Sequence, residues 1–403
     1  MPVTCDRSKH WLRLSFIALA FILWGYLRSL NDLLIPVFQV DLRLSYSSAM
    51  LVHFAFFSSY LFISLPAARW VERRGYRAVL VQANLAMAVG SASFLLLAWR
   101  PSFAACLMAV LIEAIGITLL QVAANPWITL LAPSDSAASR LLFLQMFTSL
   151  GSVSGPILGH LMLPVGAASL VSTPEFPRHQ VVLLYMPAAI SLFATAAGFR
   201  WTATPNTSVY PSLPRRAGII FRERAVLYGF AAIFLAIGAE TAILGHAIRL
   251  LSSKADASFH PRTAAILLSG YWAAVMLGRL VGARVLTYLK TSLTLLISSI
   301  SACLITLLAV AIPGKVTGVV LLFSGLFNAV MFPCVFVLTI SNLPETEAPT
   351  VSGLLTSALC GGAVIPVLSG AVADHFGVTS ALILPACCYL LIACYAVRLP
   401  QTQ

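Results

Sequence analysis

Four residues able to carry a proton stand inside or at the edge of long apolar stretches: Asp32, His53, Glu113 and Glu240. An ionisable side chain in a lipid-spanning segment is costly and marks a functional position by default. Histidine is the residue type suited to carrying a proton, which makes His53 a candidate; it can equally donate to a ligand hydroxyl. Amides and hydroxyls sit in the same apolar runs. Asn31 precedes Asp32, Gln121 and Asn125 are spaced i, i+4, Gln145 and Thr148 are spaced i, i+3, and Asn328 lies alone in a later run. One such group can simply tie two helices together. Six of them, able to donate and accept together, suit a polyhydroxylated ligand.

Other chemistry is absent from the sequence pattern. There is no H-E-x-x-H, no G-x-S-x-G and no paired-acid motif, so no enzyme is expected. All of the eight cysteines but Cys5 fall in apolar segments without C-x-x-C or Cys/His ligand spacing, and they read as small buried residues. No metal site and no cofactor are expected.

The elements that must position these residues follow from composition. The chain has 403 residues, 60% hydrophobic and only 9% charged, with a mean hydropathy of +0.93. Soluble domains carry about a quarter charged residues, so a water-soluble globule is excluded, as is disorder. The net charge of +12 is spread in short clusters between apolar runs, which sets membrane orientation and is not a nucleic-acid footprint. Apolar runs cover 14–38, 48–68, 77–98, 103–131, 141–164, 181–199, 225–251, 262–283, 291–312, 316–340, 350–372 and 378–397. Each is long enough for a helix across the bilayer, and only helices satisfy the backbone in lipid with this pattern. The expected fold is an all-α membrane protein of twelve transmembrane helices. The first run reads as a retained helix, since no small-residue cleavage site follows it.

An even number of spans puts both termini on one side. About two thirds of the 25 Lys and Arg fall in segments on that side, which makes it cytoplasmic. The longest polar stretch, Thr202 to Arg224, contains Pro205, Pro211 and Pro214. It reads as a cytoplasmic linker, residues 202–224, joining two six-helix halves, 1–201 and 225–403. The halves echo each other at nearly one offset. Arg69-Trp70-Val71 answers to Arg279-Leu280-Val281, Gln121 to Pro126 answers to Asn328 to Pro333, and Pro156 answers to Pro366. A parallel six-plus-six repeat is the plan of the major facilitator superfamily, whose halves rock about a site near the bilayer midplane.

The run from Pro66 to Arg77 resembles that superfamily's cytoplasmic G-x-x-x-D-R-x-G-R-R motif, with Glu72 in place of the aspartate and Pro66 or Ala67 in place of the first glycine. One acid among arginines at helix ends can lock the cytoplasmic face in one state and release it in the other. Arg69, Glu72, Arg73 and the second-half Arg279 are the gating candidates; the alternative is a solvated positive cluster.

A further set of segments resembles the fucose:proton symporter family of sugar permeases. These are Trp24-Gly25 with Leu30-Asn31-Asp32, Gln121 to Pro126, Ala137 to Leu141, Gly238-Ala239-Glu240, Gly325 to Pro333, and Gly361 to Pro366. The resemblance implies uptake of a hexose or related monosaccharide across a bacterial inner membrane, usually with a proton; a monomer is expected. It also implies that Asp32 takes part in proton coupling together with a helix-four glutamate. Here that glutamate is Gln121, which does not titrate; Thr148 replaces an asparagine, Arg28-Ser29 an asparagine pair and His53 a glutamine. Arg28 stands one helical turn before Asp32 and either pairs with it, holding it charged, or snorkels outward. Ordinary proton symport is therefore in doubt. Facilitated diffusion and a relay through His53, Glu113 or Glu240 are the two outcomes. Competing readings are a non-transporting sugar sensor with the same fold and an exporter of a small metabolite, the latter favoured by an apolar cavity.

Overall fold

The computed structural model describes residues 7–41, 51–99, 102–130, 134–162, 178–201, 223–251, 261–312, 315–341 and 343–398. They are almost wholly helical. The first five helices are α1 (Arg7–Asp41), α2 (Leu51–Trp99), α3 (Phe103–Leu130), α4 (Ser134–Met162) and α5 (Arg178–Trp201). The next group is α6 (Arg224–Leu251), α7 (Pro261–Val285), α8 (Thr291–Ala311), α9 (Lys315–Leu322) and α10 (Ser324–Ile340). The last group is α11 (Ala348–Ser357), α12 (Gly361–Phe376), α13 (Val378–Ala381) and α14 (Ile383–Arg398), with short 3-10 turns before and after α11.

Ten helical stretches among the described residues are long and apolar enough to cross a membrane. One of them, Leu51–Leu96, spans 46 residues and breaks at Gly75 (φ 79°, ψ 162°). It therefore crosses twice. Nothing crowds the position a Cβ would take at Gly75, so the left-handed backbone alone calls for glycine there. With the 25-residue α7 between its neighbours, the arrangement agrees with twelve crossings of a multi-pass membrane protein. Prolines 66, 126, 156, 187, 333 and 366 all lie inside helices, which neighbouring helices tolerate in a membrane bundle. Trp99 and Trp201, more than four-fifths exposed, are each the last residue of their helix, where membrane interfaces favour tryptophan.

Within the first five helices α2 packs on α3 and α5, and α1 on α4. Among the later ones α6 packs on α12 and α14, and α8 on α10 and α14. The two sets meet mainly where α4 faces α7 and α2 faces α11. Small residues permit the closest approaches. At Gly353 a Cβ would lie 2.8 Å from both Ala68 Cβ and the Ser64 carbonyl oxygen, and at Gly116 2.6 Å from the Met87 nitrogen. The backbones of α1 and α4 touch at Gly25 and Gly151, each against a carbonyl of the facing helix. The expected linker, 202–224, lies outside the described residues except for its last two.

Candidate functional site

The C-terminal third of α1, the start of α2 and the second half of α6 converge on a cavity of about 40 Å³. That volume admits about three waters. Arg28, Asn31 and Asp32 line it from α1, Val52, His53, Phe56 and Phe57 from α2, Val110 from α3, and Glu240, Thr241 and Leu244 from α6. Alternation of the helices puts this cavity in the half of the bundle away from the terminal end, the end that carries the start of α1 and the Gly75 break. Asp32 is 25% and His53 38% exposed, with His53 Nδ1 3.8 Å from Asp32 Oδ1. Water therefore reaches the pair, and the imidazole lies within electrostatic reach of the carboxylate.

Arg28 does not form the ion pair with Asp32 that its spacing allowed. Among the described residues its guanidinium lies over the Trp272 ring of α7, 5.1 Å from the centroid. It remains within electrostatic reach of Asp32 and Glu240. The reason is geometric: a residue on the rim of α1 that faces the second set of helices finds an aromatic face before it finds the carboxylate one turn along its own helix. Planar guanidinium suits that stacking.

Glu113 belongs to a separate buried cluster behind Asn31. Its carboxylate accepts hydrogen bonds from Asn31 Nδ2 (2.9 Å) and Ser91 Oγ (2.7 Å). Asn31 Oδ1 in turn accepts from the Tyr185 hydroxyl at 2.8 Å, and the Tyr185 ring stacks on Phe94 with centroids 3.8 Å apart. Asn31 thus borders the cavity on one side and Glu113 on the other.

The remaining polar candidates lie deeper and do not line the cavity. Gln121 Nε2 donates to the Tyr60 hydroxyl at 2.9 Å, and Asn328 Nδ2 donates to the Tyr271 hydroxyl at 3.3 Å. The same amide-to-tyrosine contact, α3 to α2 and α10 to α7, recurs at matching places of the repeat. Both amide atoms of fully buried Asn125 have no hydrogen-bond partner, nor do Thr148 Oγ1, Asn328 Oδ1, and the indole nitrogens of Trp24 and Trp272. Buried polar groups are normally paired, so this many orphans on α1, α3, α4, α7 and α10 form an interior suited to a hydrogen-bonding guest. Gln145 is buried, and its backbone carbonyl accepts from Arg279 Nη1 at 2.5 Å.

That contact places Arg279 away from the other gating candidates. It sits in the α4–α7 seam, where Nη1 also donates to Ser149 Oγ at 2.8 Å; one turn on, Ser139 Oγ donates to the Ala283 carbonyl at 2.6 Å. Glu72 accepts from the Thr350 hydroxyl near the N-terminus of α11, where the helix dipole favours a carboxylate. Arg69 and Arg73 are exposed and, among the described residues, form no ion pair with it. Beside these contacts, Ser352 Oγ of α11 donates to the Val122 carbonyl of α3 at 3.0 Å. The terminal end is therefore closed by α2–α11 and α4–α7, whereas the far end leaves Asp32 and His53 accessible.

Sequence reasoning missed Tyr60, Tyr271, Trp272 and Tyr185. Aromatics in apolar runs carry no signal of their own; for Tyr60 and Tyr271 the internal repeat would have flagged them had the amides been paired with the helices beside them.

The sequence matches the family described as the Major Facilitator Superfamily over residues 17–365. It is 32% identical over 394 residues to the glucose/galactose transporter of Brucella abortus, covering 97% of this chain and 95% of the relative. It is 26% identical over 403 residues to the L-fucose-proton symporter of Escherichia coli, covering 95% and 92%. The crystal structure of FucP, a superfamily transporter in the outward conformation, superimposes with a TM-score of 0.83 at 25% identity, over 96% of this chain and 99% of that one.

Proposed function

Because this chain belongs to the major facilitator superfamily, we propose that it is a permease for glucose, galactose, fucose or a related hexose, working by alternating access. The observation that carries this reading is the polar interior with unpartnered hydrogen-bonding atoms, Asn125 above all. A sugar offers many hydroxyls that both donate and accept, and it matches such groups where a hydrophobic drug or metabolite would leave them unpaired. That chemistry also disfavours an exporter of apolar compounds. The relatives named for glucose/galactose and fucose transport point the same way.

The mechanism follows from the two ends of the bundle. A six-helix half, 1–201, rocks against a second half, 225–403, about the central site, the 202–224 segment being the tether. With the termini on the cytoplasmic side of a bacterial inner membrane, the described state is closed inward and accessible outward. Sugar enters past Asp32 and His53 and meets Gln121 and Gln145 together with the orphan groups of Asn125, Thr148 and Asn328. Glu72, Arg69, Arg73 and Arg279 part on the cytoplasmic side as the halves swing, and Arg28 leaves Trp272. One chain builds the whole route, so it works as a monomer. Asp32 with His53, and Glu240 across the cavity, are half-buried ionisable groups that line the water-accessible route. A cavity of about 40 Å³ must widen before a sugar ring fits, which the rocking supplies.

Counterflow in proteoliposomes tests the reading. Vesicles loaded with one unlabelled hexose accumulate the labelled sugar without an imposed gradient if the protein is a permease. A folded protein that binds sugar but exchanges none is a sensor; one that neither binds nor exchanges any hexose refutes the substrate class.

A further inference from the structure

Glu113 is a carboxylate in a place where a purely structural role would be served better by an amide. It is fully buried between α1, α2, α3 and α5, and no cation among the described residues pairs with it. The packing is cut to fit it: at Gly90 a Cβ would lie 2.5 Å from Glu113 Cγ, so α2 has no side chain there. The groups facing it are Asn31 from α1, Ser91 from α2, Tyr185 from α5 and Cys106 from its own helix. Beyond Asn31, across the cavity wall, stand Arg28, Asp32, His53 and Glu240.

Both partners of Glu113 can reverse their roles. As placed, Ser91 and Asn31 donate and the carboxylate only accepts, the pattern of the ionised form. A serine hydroxyl accepts as readily as it donates. An asparagine amide exchanges donor for acceptor by a half-turn of its side chain, a turn that heavy-atom positions alone do not distinguish. The cluster therefore has a satisfied arrangement for either protonation state of Glu113, with no countercharge needed. With the proton on Glu113 Oε1, Ser91 accepts and Asn31 stays as placed; with the proton on Oε2, Asn31 turns its oxygen to Glu113 and its nitrogen to the Tyr185 hydroxyl, which then accepts, and the face that Asn31 offers the cavity changes with it.

We propose that Glu113 is the proton-binding carboxyl of this transporter, set one residue behind the cavity, and that Asn31 is the positioning residue that converts its protonation into a changed sugar-binding surface. This rests on the permease reading above and deepens it, because Gln121 carries no titrating group. The step is simple protonation. Water in the cavity delivers one proton to a Glu113 oxygen when the Asn31 side chain swings aside, and the same oxygen returns the proton to water after the halves rock. No other bond forms or breaks.

Two readouts separate this inference from the permease reading. The first ignores sugar: infrared difference spectra of the whole protein in lipid, taken across pH 5 to 9, report a protonated buried carboxyl. The expected result is a band that titrates in the wild type and in Asp32→Asn, is lost in Glu113→Gln, and shifts in frequency in Ser91→Ala, which keeps the carboxyl but removes one partner. The second is hexose affinity against pH, with glucose and galactose as probes. Glu113→Gln, whose amide preserves both hydrogen bonds, should still exchange sugar in counterflow. It should lose the pH dependence of affinity and at least about tenfold of gradient-driven accumulation. Asn31→Leu should keep the infrared band yet show affinity independent of pH, which a merely structural asparagine would not produce. The proposal is overturned if the titrating band survives in Glu113→Gln, if it vanishes only in Asp32→Asn, or if Glu113→Gln still accumulates sugar on a proton gradient as the wild type does. Should Glu113→Gln fail to insert, an unmoved band in Ser91→Ala overturns it alone. A band that behaves as expected in a protein exchanging no hexose leaves Glu113 as a proton site and refutes the sugar reading instead.

Discussion

At Asn125 an entire side-chain amide is fully buried with no partner, while one turn away Gln121 is anchored on Tyr60. The two amides therefore have opposite energetics in the empty protein. Removing an unpaired buried polar group costs little, because no hydrogen bond is lost, whereas removing a bonded one strands its partner. Asn125→Ala should change the melting temperature little yet weaken hexose binding by about tenfold or more, the worth of one good hydrogen bond to a ligand. Gln121→Ala should lower both stability and affinity. Thermal unfolding in detergent alongside binding titration measures the split, and equal loss of stability in the two variants would mean that Asn125 is a structural residue.

At the scale of elements the seams determine what can move. The α2–α11 contact is held by Glu72 on Thr350 and by the fit of Gly353 against Ser64 and Ala68. A Cβ at Gly353 would lie 2.8 Å from the Ala68 Cβ, about 1 Å short of the ~3.8 Å of a relaxed disulfide, so the two helices must part slightly for the bond to form. The pair Ala68→Cys with Gly353→Cys, in a background without the exposed Cys387 and Cys394, should cross-link on oxidation with that small shift. Cross-linked protein should lose hexose exchange and regain it on reduction. Full exchange while cross-linked would mean that this seam stays shut throughout the cycle. The α1–α4 contact is of another kind. Its glycines set backbone on backbone within one set of helices, and Gly151→Ala should cost about 1–3 kcal/mol of stability through overpacking without altering the direction of access.

For the whole molecule, the closed terminal end and the accessible far end acquire meaning only with orientation. The proposed orientation, termini inside, rests on the distribution of Lys and Arg. A C-terminal green fluorescent protein fusion in bacteria should fluoresce and a C-terminal alkaline phosphatase fusion should be inactive. The reverse result would make the described state inward-facing and would exchange the roles of the two seams. Membership in the superfamily and the likeness to a transporter in its outward conformation accord with the first outcome.

The sequence alone determined that this is a membrane bundle, how many crossings it has and which polar residues stand within the apolar helices, because lipid tolerates only apolar helices and makes each exception conspicuous. It also exposed the internal repeat, through motifs kept in register. It did not reveal which polar residues meet. Asp32 was expected either to pair with Arg28 or to stand free, and the fold places His53 beside it and sends Arg28 to Trp272. Arg279 was read as the second-half counterpart of Arg69, and its partners in the α4–α7 seam, the Gln145 carbonyl and Ser149, were not legible. Glu113 had no visible partner in the sequence, since Asn31, Ser91 and Tyr185 come from three other helices. Helical periodicity gives the direction of a side chain around its own axis, but the rotation and neighbours of that axis are set by packing small residues against backbone. That is a property of pairs of helices, and only the tertiary structure contains it.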